Sequence, residues 1–268
     1  MSNRPGHNSG SFTALAEQHK TRLAAKQRAD QLLVERGLAE SRARAQSLIL
    51  AGLVFVGERR VDKPGETLAP DAGLEVRGRD HPWVSRGGIK LAYALDHFAI
   101  DPTGWIGLDI GASTGGFTDV LLGHGARRVY AVDVGHGQLA WKLRQDRRVV
   151  VCERTNARTL GRAQVPEPVD IITCDASFIG LATVLPAPLA LAAERASLVA
   201  LIKPQFEAGP KDVGKGGVVR DPAIHRAVCE RAAAWIAAQD GWHVIGIVES
   251  PIHGPQGNQE FLLYARHG

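Results

Sequence analysis

The larger part of the chain takes its predicted fold from residues 109–117, which read Asp-Ile-Gly-Ala-Ser-Thr-Gly-Gly-Phe. An apolar run over 106–110 predicts a strand, and the residues after the glycines predict the start of a helix. Glycines in such a turn let the backbone approach a ligand, and the first turn of the helix offers unpaired N–H groups. The spacing after Gly111 differs from G-x-G-x-x-G, which counts against an NAD enzyme. For this stretch taken alone, a simple tight turn is an equal alternative.

Strand and helix patterns alternate on both sides of this turn. Strands are predicted over 106–110, 128–132, 149–152, 169–174, 197–202, 242–248 and 260–264. The intervals between the first six are long enough for helices, which favours a mostly parallel sheet covered on both faces. Only residues 249–259 join the last two strands. This is too short for a helical crossover, so the final strand is expected to run antiparallel beside its predecessor.

Polar side chains after the first strands predict a nucleoside-bearing ligand at the carboxyl edge of the sheet. Asp133 ends the second strand, where a carboxylate can accept hydrogen bonds from two ribose hydroxyls. Asn156 follows the third strand, where an amide can meet an adenine edge. The candidate cofactor-binding residues are Gly111, Ser113, Thr114, Gly115, Gly116, Phe117, Asp133, Asn156 and Asp175.

Four charged residues fall at element ends that face the same edge. Lys90 enters the helix before the first strand, Asp175 ends the fourth strand, Lys203 ends the fifth, and Glu260 opens the last. Ligands of open α/β sheets lie at the carboxyl ends of the strands, so these residues are the candidate catalytic set. The alternative is a buried ion-pair network without catalysis.

The first third of the chain carries the positive charge. Residues 1–90 contain 15 Lys and Arg against 10 Asp and Glu, whereas residues 91–268 contain 17 against 18. A basic module beside a near-neutral body suggests a polyanion-binding attachment, with a solvated basic face as the alternative.

The same third predicts a compact α/β unit with a boundary near residue 80. Helices are predicted over 29–36 and from a cap at Ser41 to Gly52, followed by a hairpin near 54–61 and a strand at 74–76. The predicted division is a flexible tail over 1–27, a small domain over 28–78, a linker over 79–86 and a large domain over 87–268.

Two sets of motifs resemble known families. The run 41–57 with 61–65 is similar to the RNA-binding module of the ribosomal-protein-S-four type, which implies phosphate contacts by Arg42, Arg44, Arg59, Arg60 and Lys63. The glycine turn, Asp133 and the last strand resemble the Rossmann-like class I methyltransferase fold that uses S-adenosylmethionine. The Lys-Asp-Lys-Glu set resembles FtsJ-like ribose 2′-O-methyltransferases, and the strings around it resemble the TlyA family, which joins both domains. That resemblance runs from Arg28 to the C-terminus.

The resemblance implies 2′-O-methylation of cytidine in ribosomal RNA, with S-adenosylmethionine as cofactor and ribosomal RNA or ribosomal subunits as partners. A ribose hydroxyl must lose its proton as it attacks, and Lys203 is the candidate base. The role of a base needs a neutral amine, whereas Asp175 and Glu260 favour the charged form. The alternative that Lys203 orients the hydroxyl as a hydrogen-bond partner therefore stays open.

Other functions stay open at this point. They are a non-catalytic RNA-binding or ribosome-assembly factor, methylation of a base or a protein, and a membrane-active haemolysin, a label that the family has carried. The longest apolar stretch, 181–193, holds two prolines and is shorter than the roughly 20 residues of a membrane span. With a polar N-terminus and no disulfide framework among three cysteines, we expect a cytoplasmic protein that binds no membrane. No metal site is predicted, and the oligomeric state is left open.

Overall fold

The structure is a computed structural model that describes residues 26–50, 52–77, 81–209, 211–214, 216–254 and 257–268. The chain divides into two units, residues 1–79 and 80–268. Residues 1–25 of the predicted tail over 1–27 and three residues at the unit boundary, 78–80, lie outside the described residues.

The described part of unit 1 contains two helices and five short strands around a small core. Its elements are β1 (Gln27–Arg28), α1 (Ala29–Glu35), α2 (Arg42–Leu50), β2 (Val54–Val56), β3 (Arg59–Arg60), β4 (Thr67–Leu68) and β5 (Leu74–Val76). All pairs are antiparallel: β2 lies between β3 and β5, and β1 pairs with β4. Gly37 and Gly52 follow the two helices with φ of 67° and 72°, the left-handed conformation in which a glycine commonly ends a helix.

The predicted helices pack because their apolar residues share one face. Leu33 of α1, Ile49 of α2 and Val54 of β2 are fully buried against one another. The pairing of β1 with β4 was not predicted, because two-residue strands are too short to show a period.

Unit 2 is built on a seven-stranded sheet of order β11-β12-β10-β9-β6-β7-β8. Its strands are β6 (Ile106–Ile110), β7 (Arg128–Val132), β8 (Val149–Cys152), β9 (Val169–Cys174), β10 (Ala192–Ile202), β11 (Trp242–Glu249) and β12 (Phe261–His267). Strand β12 runs antiparallel to both β10 and β11, while the pairs from β10 to β8 are parallel. The predicted fold class is therefore confirmed, including the antiparallel last strand.

Helices cover both faces of this sheet. They are α3 (Gly87–His97), α4 (Gly116–Gly123), α5 (Trp141–Arg144), a 3₁₀ helix (Ala157–Thr159), α6 (Leu181–Val184), α7 (Pro186–Leu189), α8 (Pro204–Glu207) and α9 (Pro222–Ala237). Leu91 and Leu121 are buried in the core on the face covered by α3 and α4. Leu185 and Ile236 are buried in the core on the face covered by α6, α7 and α9.

The sequence analysis did not predict the structure of two stretches, residues 181–193 and the pair Trp83 and Val84. The apolar residues 181–193 form α6, α7 and the start of β10, and among the described residues no helix is long and apolar enough to span a membrane. Trp83 and Val84, placed in the predicted linker, pack on unit 2, where the Val84 N–H donates to Asp119 at 2.8 Å.

Candidate active site

The predicted catalytic residues emerge side by side from three adjacent strands. Cys174 of β9 pairs with Ala200 of β10, and Ile202 of β10 pairs with Phe261 of β12. Because β12 is antiparallel, its first residues lie at the same edge as the last residues of β9 and β10. Asp175, Lys203 and Glu260, which adjoin these strand ends, therefore share the carboxyl edge of the sheet.

Lys203 is held by the loop that follows β9. Its Nζ lies 2.6 Å from Asp175 Oδ1 and donates to Ser177 Oγ at 2.9 Å and to the Asp175 carbonyl at 3.2 Å. Lys203 is buried at the end of β10, directly before α8. Three oxygens surround its amine, an arrangement that suits an ammonium group.

Lys90 and Glu260 form a second, more deeply buried pair. Lys90 Nζ lies 2.6 Å from Glu260 Oε2, and both side chains are almost excluded from solvent. Lys90 stands one turn into α3, whose first residue, Gly87, approaches Asp175: a Cβ added there would lie 3.8 Å from Oδ2. The four predicted residues are thus joined as two lysine–carboxylate pairs.

An open cavity of about 370 Å³ lies beside these pairs, at the ends of β6, β7 and β9. Among the nine candidate cofactor residues, those that line it are Gly111, Ser113, Asp133, Asn156 and Asp175. The four that do not line it are Thr114, Gly115, Gly116 and Phe117. Phe117, the second residue of α4, packs instead in the core.

The glycine turn has a packing requirement at its two left-handed glycines. Gly111 has φ of 78°, and a Cβ there would lie 3.1 Å from the backbone of Ala176 on the neighbouring loop. Gly115 has φ of 96°, and a Cβ there would overlap Leu143 at 2.2 Å. Side chains at either position are excluded, so Gly111 shapes the cavity wall while Gly115 lets α5 pack.

Asp133 ties the glycine turn to the end of β7. Its Oδ2 accepts the Ser113 N–H at 2.8 Å, and its Oδ1 accepts the Gly135 N–H at 2.6 Å. Each carboxylate oxygen can accept a further hydrogen bond, and Asp133 lines the cavity. Asn156 Oδ1 accepts the Arg158 N–H at 3.1 Å and caps the 3₁₀ helix, so its amide nitrogen stays available to a ligand.

The cavity lining includes residues that the sequence analysis missed. They are Ser177, Phe178, Gln138 and Thr155 among others. Ser177 and Phe178 directly follow Asp175, so their place in the chain was the available signal. Phe178 has φ of 65° and is 88% exposed, with its ring 5.0 Å from that of Phe206 on α8.

Asp109 holds the elements around the turn together from the interior. Its Oδ2 accepts the Thr118 N–H at 2.9 Å and hydroxyl at 2.7 Å, and its Oδ1 accepts the Thr173 hydroxyl at 3.1 Å. Full burial raises the pKa of Asp109 to about 6.

The candidate phosphate contacts of unit 1 are mostly paired with carboxylates. Arg59 lies 2.6 Å from Glu66, and Arg60 lies 2.7 Å from Asp62. Arg42 lies 3.0 Å from Asp30, a fully buried carboxylate. The remaining two differ in exposure: Arg44 is half-buried and Lys63 is exposed. Within the described residues, no group of three or more His, Cys, Asp and Glu is placed to hold a metal ion.

Comparisons with known proteins agree with this architecture. Residues 83–267 match the model of the FtsJ-like methyltransferase family, and residues 27–73 match that of the S4 domain. The 16S/23S rRNA (cytidine-2′-O)-methyltransferase TlyA of Mycobacterium tuberculosis is 50% identical over 245 residues, 91% of each chain. The chain belongs to the TlyA family of FtsJ-like methyltransferases.

Two further relatives extend the TlyA-family match. Hemolysin A of Brachyspira hyodysenteriae is 41% identical over 238 residues, which cover 88% of this chain and 98% of the relative. A solved structure of a hemolysin-type protein from Streptococcus thermophilus is 44% identical with a TM-score of 0.74, covering 90% of this chain and 88% of that one.

Proposed function

We propose that this TlyA-family chain methylates the 2′-hydroxyl of a cytidine ribose in ribosomal RNA, with S-adenosylmethionine as the methyl donor. The observation that carries the proposal is the pair of lysine–carboxylate contacts beside a cavity at the carboxyl edge of the sheet. Methylation of a base needs no alkoxide, so this set of lysines favours a ribose hydroxyl. The relatives named for cytidine 2′-O-methylation support the choice of nucleotide.

The cavity suits a nucleoside-bearing cofactor. Its volume of about 370 Å³ lies in the usual range for small-molecule sites. Asp133 is placed to accept ribose hydroxyls, Asn156 to meet an adenine edge, and the backbone at Gly111 to contact the ligand closely. When bound, S-adenosylmethionine supplies an electrophilic methyl group on a sulfonium centre.

Lys203 is the proposed acceptor of the hydroxyl proton. Asp175 Oδ1, which lies 2.6 Å from Nζ, is the proposed acceptor of a proton from the ammonium form. The resulting amine accepts the hydroxyl proton, so that the ribose oxygen becomes a nucleophile. The Lys90–Glu260 pair joins the first turn of α3 to the residue directly before β12.

Unit 1 is the proposed RNA-binding domain, over residues 28–78, and residues 87–268 form the proposed catalytic domain. Arg42, Arg44, Arg59, Arg60 and Lys63 would contact phosphates, which position RNA without reading its sequence. Phosphates would compete with the carboxylates now paired with three of these arginines. Ribosomal RNA as the substrate would place the activity in the cytoplasm.

The test is methyl transfer from labelled S-adenosylmethionine to ribosomal subunits that lack the modification. We expect label in 2′-O-methylcytidine, and a rate about 100-fold to 10,000-fold lower for Lys203→Ala. Arg195→Ala is the control, because Arg195 is an exposed basic residue on β10 at the opposite edge of the sheet. Label in a base or in protein would replace the ribose assignment. No transfer to any subunit or RNA would favour a non-catalytic assembly factor.

A further inference from the structure

The short helix α8 contacts both ends of the loop 175–181. Lys203, directly before the helix, donates to the Asp175 carbonyl and to Ser177 Oγ at the start of the loop. Glu207, the last residue of the helix, accepts the Leu181 N–H at 2.7 Å at the end of the loop. The proposed catalytic lysine and this carboxylate therefore hold the same loop from a single helical turn.

The loop between these contacts forms one wall of the cofactor cavity. Residues 175–179 all line it. Phe178 sits within the loop at φ of 65°, a backbone conformation that costs free energy for any residue with a side chain. A strained conformation persists only where surrounding contacts hold it. The contacts of Lys203 and Glu207 with this loop are suited to hold it in that conformation.

Glu207 is suited to fix the far end of the loop. Leu181 begins α6, and the first N–H groups of a helix lack partners within the helix. The Glu207 carboxylate is half-buried beside Gly180, where a Cβ would lie 3.3 Å from Oε2. Arg231 of α9 donates to the Glu207 carbonyl at 3.0 Å and anchors the helix from its other side.

We propose that Glu207 is a positioning residue for the methyl-transfer site. By holding Leu181, it keeps the loop 175–181 in the conformation that closes the cofactor cavity and presents Ser177 to Lys203. Glu207 itself does not line the cavity, so it acts through the loop. This inference rests on the proposed function. The competing explanation is a helix cap that contributes to stability alone.

The experiment compares Glu207→Ala and Glu207→Gln with a matched control. Asp170→Ala removes a carboxylate that accepts the Ile106 N–H at 2.8 Å near the opposite edge of the sheet, the same type of bond in the same unit. The dissociation constant for S-adenosylmethionine is measured by titration calorimetry on the full chain without RNA. KM and kcat for methyl transfer are measured with ribosomal subunits.

We expect Glu207→Ala to weaken S-adenosylmethionine binding about tenfold, roughly what one charge-assisted hydrogen bond contributes. Its KM for the cofactor should rise more than its kcat falls. Glu207→Gln keeps an acceptor oxygen and should stay within about twofold of wild type. Asp170→Ala should lower the Tm as much as Glu207→Ala does, yet bind the cofactor as wild type does.

Wild-type affinity in Glu207→Ala, with a Tm lowered as in Asp170→Ala, would show a helix cap only and overturn the positioning role. If Glu207→Ala does not fold, Gly180→Ala takes its place, because the added Cβ presses on the same carboxylate. Gly180→Ala should then weaken binding several-fold, and unchanged binding overturns the proposal. A wild-type chain that binds no S-adenosylmethionine would instead overturn the proposed function itself.

Discussion

Asp30 in unit 1 and Asp109 in unit 2 are both fully buried, yet the pKa values of their carboxyl groups shift in opposite directions. Arg28 contacts both oxygens of Asp30 at 3.0 Å, and its guanidinium holds the pKa of Asp30 well below the usual range. Among the described residues, the hydroxyls of Thr118 and Thr173 contact Asp109 and no cation does, and burial raises its pKa to about 6.

The difference shows that contact with a cation outweighs the cost of burying a carboxylate at Asp30, whereas the neutral donors around Asp109 do not outweigh it. Removal from water disfavours the ionised form, and a cation in contact restores it, whereas neutral donors restore only part. Glu260 is buried like Asp109, but it is paired with a lysine. In the described part of unit 2, the buried lysines Lys90 and Lys203 pair with Glu260 and Asp175 at the sheet edge, and neither pairs with Asp109.

The largest expected effect comes from removing Lys90, the cation that is paired with the buried Glu260 carboxylate. Lys90→Met should lower the free energy of unfolding of unit 2 by about 3–5 kcal/mol, because an unpaired buried charge remains. The double variant Lys90→Met with Glu260→Gln should recover most of that loss. Urea unfolding followed by tryptophan fluorescence measures it, since all five tryptophans lie between residues 83 and 242. A loss below about 1 kcal/mol in the single variant would contradict the comparison.

Asp109→Asn tests the carboxylate that has no cation. The folded pKa of about 6 lies above the ordinary value of 3.8, so between pH 4 and 6 the native state holds a proton that the unfolded state releases. The wild-type free energy of unfolding should therefore fall by about 3 kcal/mol from this group as pH rises through that window. The variant should match wild type near pH 4 and exceed it at pH 7.

The same fluorescence-detected urea unfolding, repeated from pH 4 to 7, measures this difference. Other carboxylates titrate equally in both proteins, so only the gap between the two curves is assigned to Asp109. A gap that stays constant across the window would place the pH dependence elsewhere.

How far the sequence predicts this molecule depends on how local each feature is. Strand ends and the antiparallel last strand were predictable from apolar runs and connection lengths, and they brought Asp175, Lys203 and Glu260 to one edge. The four-residue helices α5 to α8 were not, because one turn shows no period. The contacts of Glu207 with the loop 175–181 arise between segments distant in sequence.

The candidate cofactor residues show the same limit. The sequence analysis predicted ligand contacts along the whole glycine turn, but only part of the turn lines the cavity. Gly115 turns toward Leu143, and Phe117 enters the core, because α4 begins between the cavity and the interior. Which side of a turn faces a ligand is set by packing that the local pattern does not contain.

Asp30→Asn has the smallest expected effect of the three variants and the opposite pH dependence. Arg28, Arg42 and Gln46 share this carboxylate, and its loss should lower the stability of unit 1 by about 2 kcal/mol. The loss stays moderate because the side chains of Arg28 and Arg42 are 42% and 51% exposed and can be hydrated. Far-ultraviolet circular dichroism reports the transition, since unit 1 contains no tryptophan.

The sign of this pH dependence completes the comparison with Asp109. Because the folded pKa of Asp30 is lowered, its stabilising contribution is present above pH 4 and is lost as pH falls below that value, so the gap between wild type and Asp30→Asn should close in acid. Asp62→Asn is the control, as Asp62 pairs with Arg60 on the surface of the same unit and should cost less than about 1 kcal/mol. An equal loss in both variants would mean that burial adds nothing to an arginine–carboxylate contact, and the contrast between Asp30 and Asp109 would then have another cause.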